Sequence, residues 1–144
     1  MGRQPPSTRD QFTLFRSVPT RWNDNDIYGH MNNAIHYLLF DTAVNGWLME
    51  AGLLRFGDET AFIVAETGCV YHADIMFPDV VHCGIGVERL GSSSVIYRIG
   101  LFRNDQTWAA ADGKFVHIHV TREGHKPTPM TADQRAVLEP LLRG

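Results

Sequence analysis

Residues 34–51, AIHYLLFDTAVNGWLMEA, hold the reading that decides the fold. Ala34 and Leu38, Val44 and Leu48, and Leu48 and Ala51 stand three or four residues apart, the step that stacks side chains on one face of an α-helix. Tyr37, Leu39, Phe40, Ala43, Trp47 and Met49 fill most of the remaining circumference. Only His36, Asp41, Thr42, Asn45 and Glu50 are polar. A helix that is apolar nearly all round is a buried helix. At ~1.5 Å per residue it runs for ~27 Å, long enough to be the axis of a small domain. Asn32 or Asn33 is placed to cap its start, and Gly52 to follow its end.

On the C-terminal side everything to about position 122 reads as strand. Residues 61–77 (AFIVAETGCVYHADIMF) form one run, 80–90 (VVHCGIGVERL) a second, 93–103 (SSVIYRIGLFR) a third and 107–122 (TWAAADGKFVHIHVTR) a fourth. Pro78-Asp79, Gly91-Ser92-Ser93 and Asn104-Asp105 punctuate them as turns. On the N-terminal side, residues 12–22 (FTLFRSVPTRW) read as a first strand, with Pro19 suited to an edge or a bulge. Residues 1–10 are polar, carry paired prolines and read as a loose tail. Residues 131–142 alternate as a short closing helix ended by Pro140. The order is one strand, one helix, then four strands joined by short connections, which makes an antiparallel sheet. One helix can be buried all round only if that sheet curls about it, an α+β arrangement. The outer face and the edge strands then call for a second copy of the chain, in a homodimer or homotetramer.

The 144 residues show no break in composition, which points to one domain over 1–144. The chain is 44% hydrophobic and 20% charged, with a formal charge of -3, so it lacks the basic footprint of a nucleic-acid or membrane-surface protein. Residues 1–11 contain no apolar run that could act as a signal peptide, and Pro6 stands where a myristoylation signal needs Ser or Thr. No apolar stretch is long enough to span a bilayer. The expected location is the cytoplasm, with Cys69 and Cys83 as reduced thiols.

The chemistry concentrates in Arg21–Asn33, RWNDNDIYGHMNN, which packs two Asp, one His and four Asn into the loop between first strand and helix. A helix N-terminus leaves backbone N–H groups unpaired and adds partial positive charge, so it can polarise a carbonyl and stabilise an oxyanion. Gly29 allows a close approach to the backbone. A carboxylate beside that spot can attack an acyl carbon or deprotonate a water. Both parts of an acyl-transfer site are present, with no metal or cofactor signature. His117 and His119 share a strand face, but no carboxylate or Cys joins them at a usual ligand spacing, so they read as an exposed or interface face. No Gly-x-Ser-x-Gly elbow occurs, so Ser92, Ser93 and Ser94 read as a hairpin turn.

The segment Asp24, Asp26, Gly29, His30, Asn32, Asn33 resembles the active-site stretch of the 4-hydroxybenzoyl-CoA thioesterase family of hot-dog proteins. It is more closely similar to the acyl-CoA thioesterase branch with a D-x-D-x-x-G-H-[VM]-N-N loop. The resemblance implies a hot-dog fold, a curled antiparallel sheet around one long helix, and hydrolysis of acyl-CoA thioesters. It implies Asp26 as nucleophile or general base, with backbone amides around Asn32 and Asn33 on the thioester carbonyl and His30 in support. Asn33 also suits a plain helix cap. Asp24, Gly29, Asn32 and Tyr37 are then expected near substrate, with orienting Arg21 or the loop as the alternative role for Asp24. Arg89, Ser92 and Ser93 stand in the turn where several relatives hold the nucleotide end of coenzyme A, although Arg89 is the only basic residue there. An acyl-carrier-protein thioesterase and a non-catalytic acyl-thioester binding module are the alternatives. A hot-dog hydratase would carry Asp-x-Asn-Pro-x-His or His-Phe-Pro-Gly, and neither string occurs.

Overall fold

A side chain at position 113 would leave no room for the ring of Phe40. A Cβ placed on Gly113 meets that ring at 2.4 Å, and Phe40 is completely buried. The missing side chain lets the central helix lie close on the sheet. The structure, a computed structural model, describes residues 4–143. Its elements are β1 (Leu14–Pro19), α1 (Ile35–Glu50), β2 (Thr60–Tyr71), β3 (Val80–Leu90), β4 (Ser94–Arg103), β5 (Ala111–Thr121) and α2 (Ala132–Leu138). All strand pairs are antiparallel, and the five strands curl about α1 in a hot-dog fold. Gly113→Val forces overpacking against Phe40. It is expected to cost about 1–3 kcal/mol, read as a lower urea midpoint at an unchanged m-value.

The sheet order is β1-β3-β4-β5-β2, so short connections do not everywhere join neighbours. The helix carries the chain from one edge of the sheet to the other. β2 therefore pairs with β5 and not with β3, with Phe62 opposite His119 and Tyr71 opposite Ala111. Residues 72–79 cross back to the far side. On the way they are stitched to the acidic loop: Met31 N–H donates to Ile75 O at 2.6 Å and Phe77 N–H to Asn25 Oδ1 at 3.1 Å. This crossover forms one wall of the site described below.

Within the protomer the helix is covered on one side only, which corrects the expectation of burial all round. His36, Leu39, Phe40, Ala43, Val44 and Leu48 are buried, while Leu38 and Met49 are 47% and 49% exposed. A five-stranded sheet of this curvature reaches around only part of the helix. At its C-terminal end Gly52 follows with φ +79, as the sequence suggested. Its N-terminus is built differently from the expectation for Asn33. Ala34 is the cap residue, and the side chain that serves it is that of Asn32, whose Oδ1 accepts the Ala34 N–H at 2.9 Å.

The tail is anchored over its described part from Ser7 onward, contrary to the loose segment expected. Ser7 N–H donates to Asp112 Oδ2 at 2.9 Å, and Ala109 N–H donates to Ser7 O at 2.8 Å. Arg9 donates to the carbonyls of Gln106 and Asn104. Behind this segment Phe12 lies on Gly84 and Gly100 and meets Phe102 edge-on at 5.9 Å. Side-chain-free positions on the outer face of the sheet thus receive an aromatic ring from the same chain.

His117 and His119 are both buried, which corrects their assignment to an exposed or interface face. Alternation places the pair on one face, but the packing of β5 makes it the face shared with Gly113, toward the helix. His119 bonds Thr128 O through Nδ1 at 2.9 Å and stands 3.3 Å from the Gln134 amide through Nε2, which holds the chain ahead of α2 in place. Burial pushes His117 down to about 4, so its ring is neutral. Among the described residues no group of three or more His, Cys, Asp or Glu has metal-binding geometry, and no helix is long and apolar enough to cross a membrane.

Candidate active site

Asp24 ties the acidic loop together. Its buried carboxylate accepts Arg21 N–H at 2.7 Å, Arg21 Nε at 3.0 Å and Arg21 Nη2 at 2.8 Å. Hydrogen bonding to this carboxylate, and then its charge, raises the Arg21 guanidinium. The Asp24 carbonyl accepts Asn32 N–H at 2.8 Å, closing the loop at its base. A carboxylate committed in this way holds Arg21 and the loop, the second of the two roles open to Asp24. Asn25 and Met31 form a single antiparallel bridge, and Asp26 N–H donates to His30 O at 3.0 Å. The tip closes through Gly29 N–H to Asp26 O at 3.1 Å. Gly29 sits at φ +84, where a side chain would be strained, so its first duty is the turn itself.

Asp26 is half-buried at the edge of this loop. Its Oδ1 accepts Tyr28 N–H at 2.8 Å, and Oδ2 has no protein donor among the described residues. Beside the loop lies a cleft of about 170 Å³ lined by His30, Met31, Asn33, His36 and Tyr71 on one side and residues 72–75 on the other. The start of α1 opens on this cleft. Its first amides are mostly engaged: Asn32 N–H by Asp24 O, Ala34 N–H by Asn32 Oδ1 and Ile35 N–H by Asn32 O. Asn33 N–H has no acceptor among the described residues. The expectation that amides around both Asn32 and Asn33 are available narrows to Asn33, because Asp24 has taken the other.

His30 lines the cleft, with Nδ1 3.9 Å from Asp74 Oδ1. Tyr37 is more than a third exposed on the open side of α1, edge-on to Phe40. Arg89, Ser92 and Ser93 are not brought to this cleft within one protomer. Their turn lies beyond Ser94, which pairs with Ile118, whereas the cleft adjoins Tyr71 and Ala111, opposite Leu101. Seven strand residues separate the two ends, roughly 23 Å at the usual rise. The turn is also occupied, with Ser92 O and Ser93 O accepting Met130 N–H and His119 N–H.

Tyr71 also belongs to the site. Its hydroxyl donates to Asn33 O at 2.9 Å across 38 residues of sequence, and no local pattern signals such a contact. Asp74 enters through the same crossover. The two thiols are inert: burial pushes Cys69 up to about 11 and Cys83 up to about 12. Neither offers a thiolate at neutral pH.

Comparison with known proteins identifies the family and the fold. A family model described as thioesterase-like superfamily matches residues 20–138. The crystal structure of the PA5185 protein from Pseudomonas aeruginosa strain PAO1 is 42% identical, covers 97% of this chain and 99% of its own, and superposes with a TM-score of 0.94. The YsmA protein of Bacillus subtilis (strain 168) is 23% identical over 130 residues, 90% of this chain and 88% of YsmA. Slr0204 of Synechocystis, named as a 1,4-dihydroxy-2-naphthoyl-CoA thioesterase, shares the fold at a TM-score of 0.79 with 11% identity, over 88% of this chain and 96% of its own. With its curled sheet, its helix start open on a cleft and the match over residues 20–138, the chain belongs to the thioesterase-like superfamily.

Proposed function

We propose that this protein hydrolyses acyl-CoA thioesters to a free acid and coenzyme A. The observation that carries this reading is the unengaged Asn33 N–H at the start of a 16-residue helix, beside the loop that holds Asp26. A thioester carbonyl directed at that amide gains a hydrogen bond and the field of the helix N-terminus, both strongest when the oxygen becomes an oxyanion. As base, Asp26 takes a proton from a water that attacks the acyl carbon; the tetrahedral species collapses, the C–S bond breaks and the departing thiolate takes up that proton. As nucleophile, Asp26 displaces the thiolate to form a mixed anhydride, which a water then cleaves to the free acid and the regenerated carboxylate, the second proton of that water going to the thiolate. His30 supports the loop and faces the cleft.

The site is completed by a second copy of the chain. β2 is an edge strand with no partner on its outer side among the described residues, and Val64–Thr67 are exposed along it. An exposed strand edge of this length is a template for pairing with another chain. The open side of α1, with Leu38 and Met49, calls for the same cover. In this arrangement the strands of the partner enclose the acyl group, and the turn with Arg89, Ser92 and Ser93 reaches the nucleotide end of coenzyme A from the partner.

A panel of short, long, branched and aromatic acyl-CoA esters, with an acyl-carrier-protein thioester alongside, tests the proposal by thiol release. Turnover of at least one acyl-CoA ester is the expected result. Turnover confined to the carrier-protein ester moves the substrate to that carrier. Saturable binding of a thioester without any thiol release rejects catalysis and makes the domain a binding module.

A further inference from the structure

We propose that Tyr71 and His36 are positioning residues of the thioester site, which clamp the Asn33 carbonyl from two sides and thereby aim the Asn33 N–H into the cleft. The inference rests on the functional reading above. A carbonyl oxygen has two acceptor positions, and on Asn33 both are filled. Tyr71 Oη donates from the end of β2 at 2.9 Å, and His36 Nδ1 from the first turn of α1 at 3.2 Å. The two rings support each other edge-on, 4.7 Å between centroids.

The chemistry of each donor suits a permanent clamp. A carbonyl only accepts, so His36 Nδ1 must carry the hydrogen. Burial lowers His36, against the carbonyls of Asn33 and Asn32, so the ring is neutral with its proton on Nδ1 at working pH. Burial, followed by Cys69 and Tyr37 beside it, pushes the Tyr71 phenol up, so it keeps its proton. Neither donor can switch off near neutrality.

The consequence for Asn33 is geometric. The peptide before it is held because Asn32 O accepts Ile35 N–H at 2.9 Å, and Asn32 N–H is bonded to Asp24 O. The peptide after it is held by the clamp and by Ala34 N–H on Asn32 Oδ1. The Asn33 N–H lies in the first of these planes, and with the second plane also held the backbone cannot rotate about Asn33 to bring that N–H to a protein acceptor, so in this proposal it is kept for a ligand in the cleft that Asn33 lines. Preorganisation of this kind removes the cost of reorienting a donor as negative charge develops. It acts on the transition state more than on the bound ester, so the clamp contributes to kcat rather than to KM.

The test compares Tyr71→Phe, His36→Leu and His36→Asn with the unmodified protein and with Asp26→Asn, each with its melting temperature. Tyr71→Phe and His36→Leu are expected to lower kcat roughly ten- to a hundredfold, as a loosely held donor does, with KM little changed. His36→Asn keeps an N–H near the position of Nδ1 and is expected to recover most of the rate. A merely structural role would not produce that split or that rescue. If Tyr71→Phe and His36→Leu keep kcat while Asp26→Asn loses activity, the clamp is overturned and the thioesterase reading stands. If the unmodified protein hydrolyses no thioester, both fall together.

Discussion

Asp26→Asn is expected to lower the rate of thiol release by about two to four orders of magnitude, the usual worth of a positioned base or more, with the fold unaltered. Among the described residues the side chain of Asp26 has a single structural bond, in which Oδ1 accepts the N–H of Tyr28. An asparagine carbonyl oxygen accepts the same N–H, so the loop keeps its shape. The backbone of residue 26, bonded to His30 and Gly29, is untouched by the change. What disappears is the negative charge and the free oxygen, which serve as nucleophile or base. Asp24→Asn is the instructive contrast. It weakens the forked contact to Arg21 and with it the loop that presents Asp26, so its effect should come with a lower melting temperature. Initial rates on the best acyl-CoA ester, set beside thermal melts of both variants, separate the two roles. A full rate in Asp26→Asn would move the base from the loop to the lining of the cleft, to His30 first.

The largest expected effect on stability is that of Asp79→Ala, at the end of the crossover. The Asp79 carboxylate is buried and accepts from Met76 N–H at 2.9 Å, Arg103 Nε at 2.7 Å and Asn104 Nδ2 at 3.0 Å. The same residue's carbonyl receives both the N–H and the hydroxyl of Thr20. Removing the carboxylate strands three donors, one of them a guanidinium that is 31% exposed. That partial exposure sets the cost at the low end of values for breaking a buried pair, about 3 kcal/mol, or roughly 10 °C in a chain of this size. The sign with pH follows from the same contacts. Burial pushes the carboxyl up, but the Met76 amide, Asn104 and Arg103 together outweigh it and hold the group below its ordinary 3.8. A depressed carboxylate stabilises the fold above its unfolded-state value, and the contribution disappears as pH falls through the native one. Melting temperature should therefore fall on acidification below about 4 in the unmodified protein, and the slope should be shallower in Asp79→Asn.

Much of the site could be read along the chain because its parts are local. Asp24, Asp26, Gly29, His30, Asn32 and Asn33 lie within ten residues, next to a helix whose start is marked by the end of polar composition. Their division of labour could not be read. Asp24 and Asp26 are the same residue type two positions apart, and only the Arg21 fork and the Asn32 bond separate a loop anchor from the acid with a free oxygen. Asn32 and Asn33 are likewise equivalent as letters. One amide is consumed by Asp24 and the other is spared.

Periodicity and turn chemistry determined the helix, the five strands and the acidic loop, since those depend on residues within a few positions of each other. Tertiary structure decided that β2 pairs with β5, that His117 and His119 face the helix, that Phe12 covers the outer glycines and that Tyr71 grips the start of α1. Each of those outcomes joins residues many positions apart. The energy that selects them comes from how the sheet closes around the helix, which no local pattern of apolar and polar letters encodes.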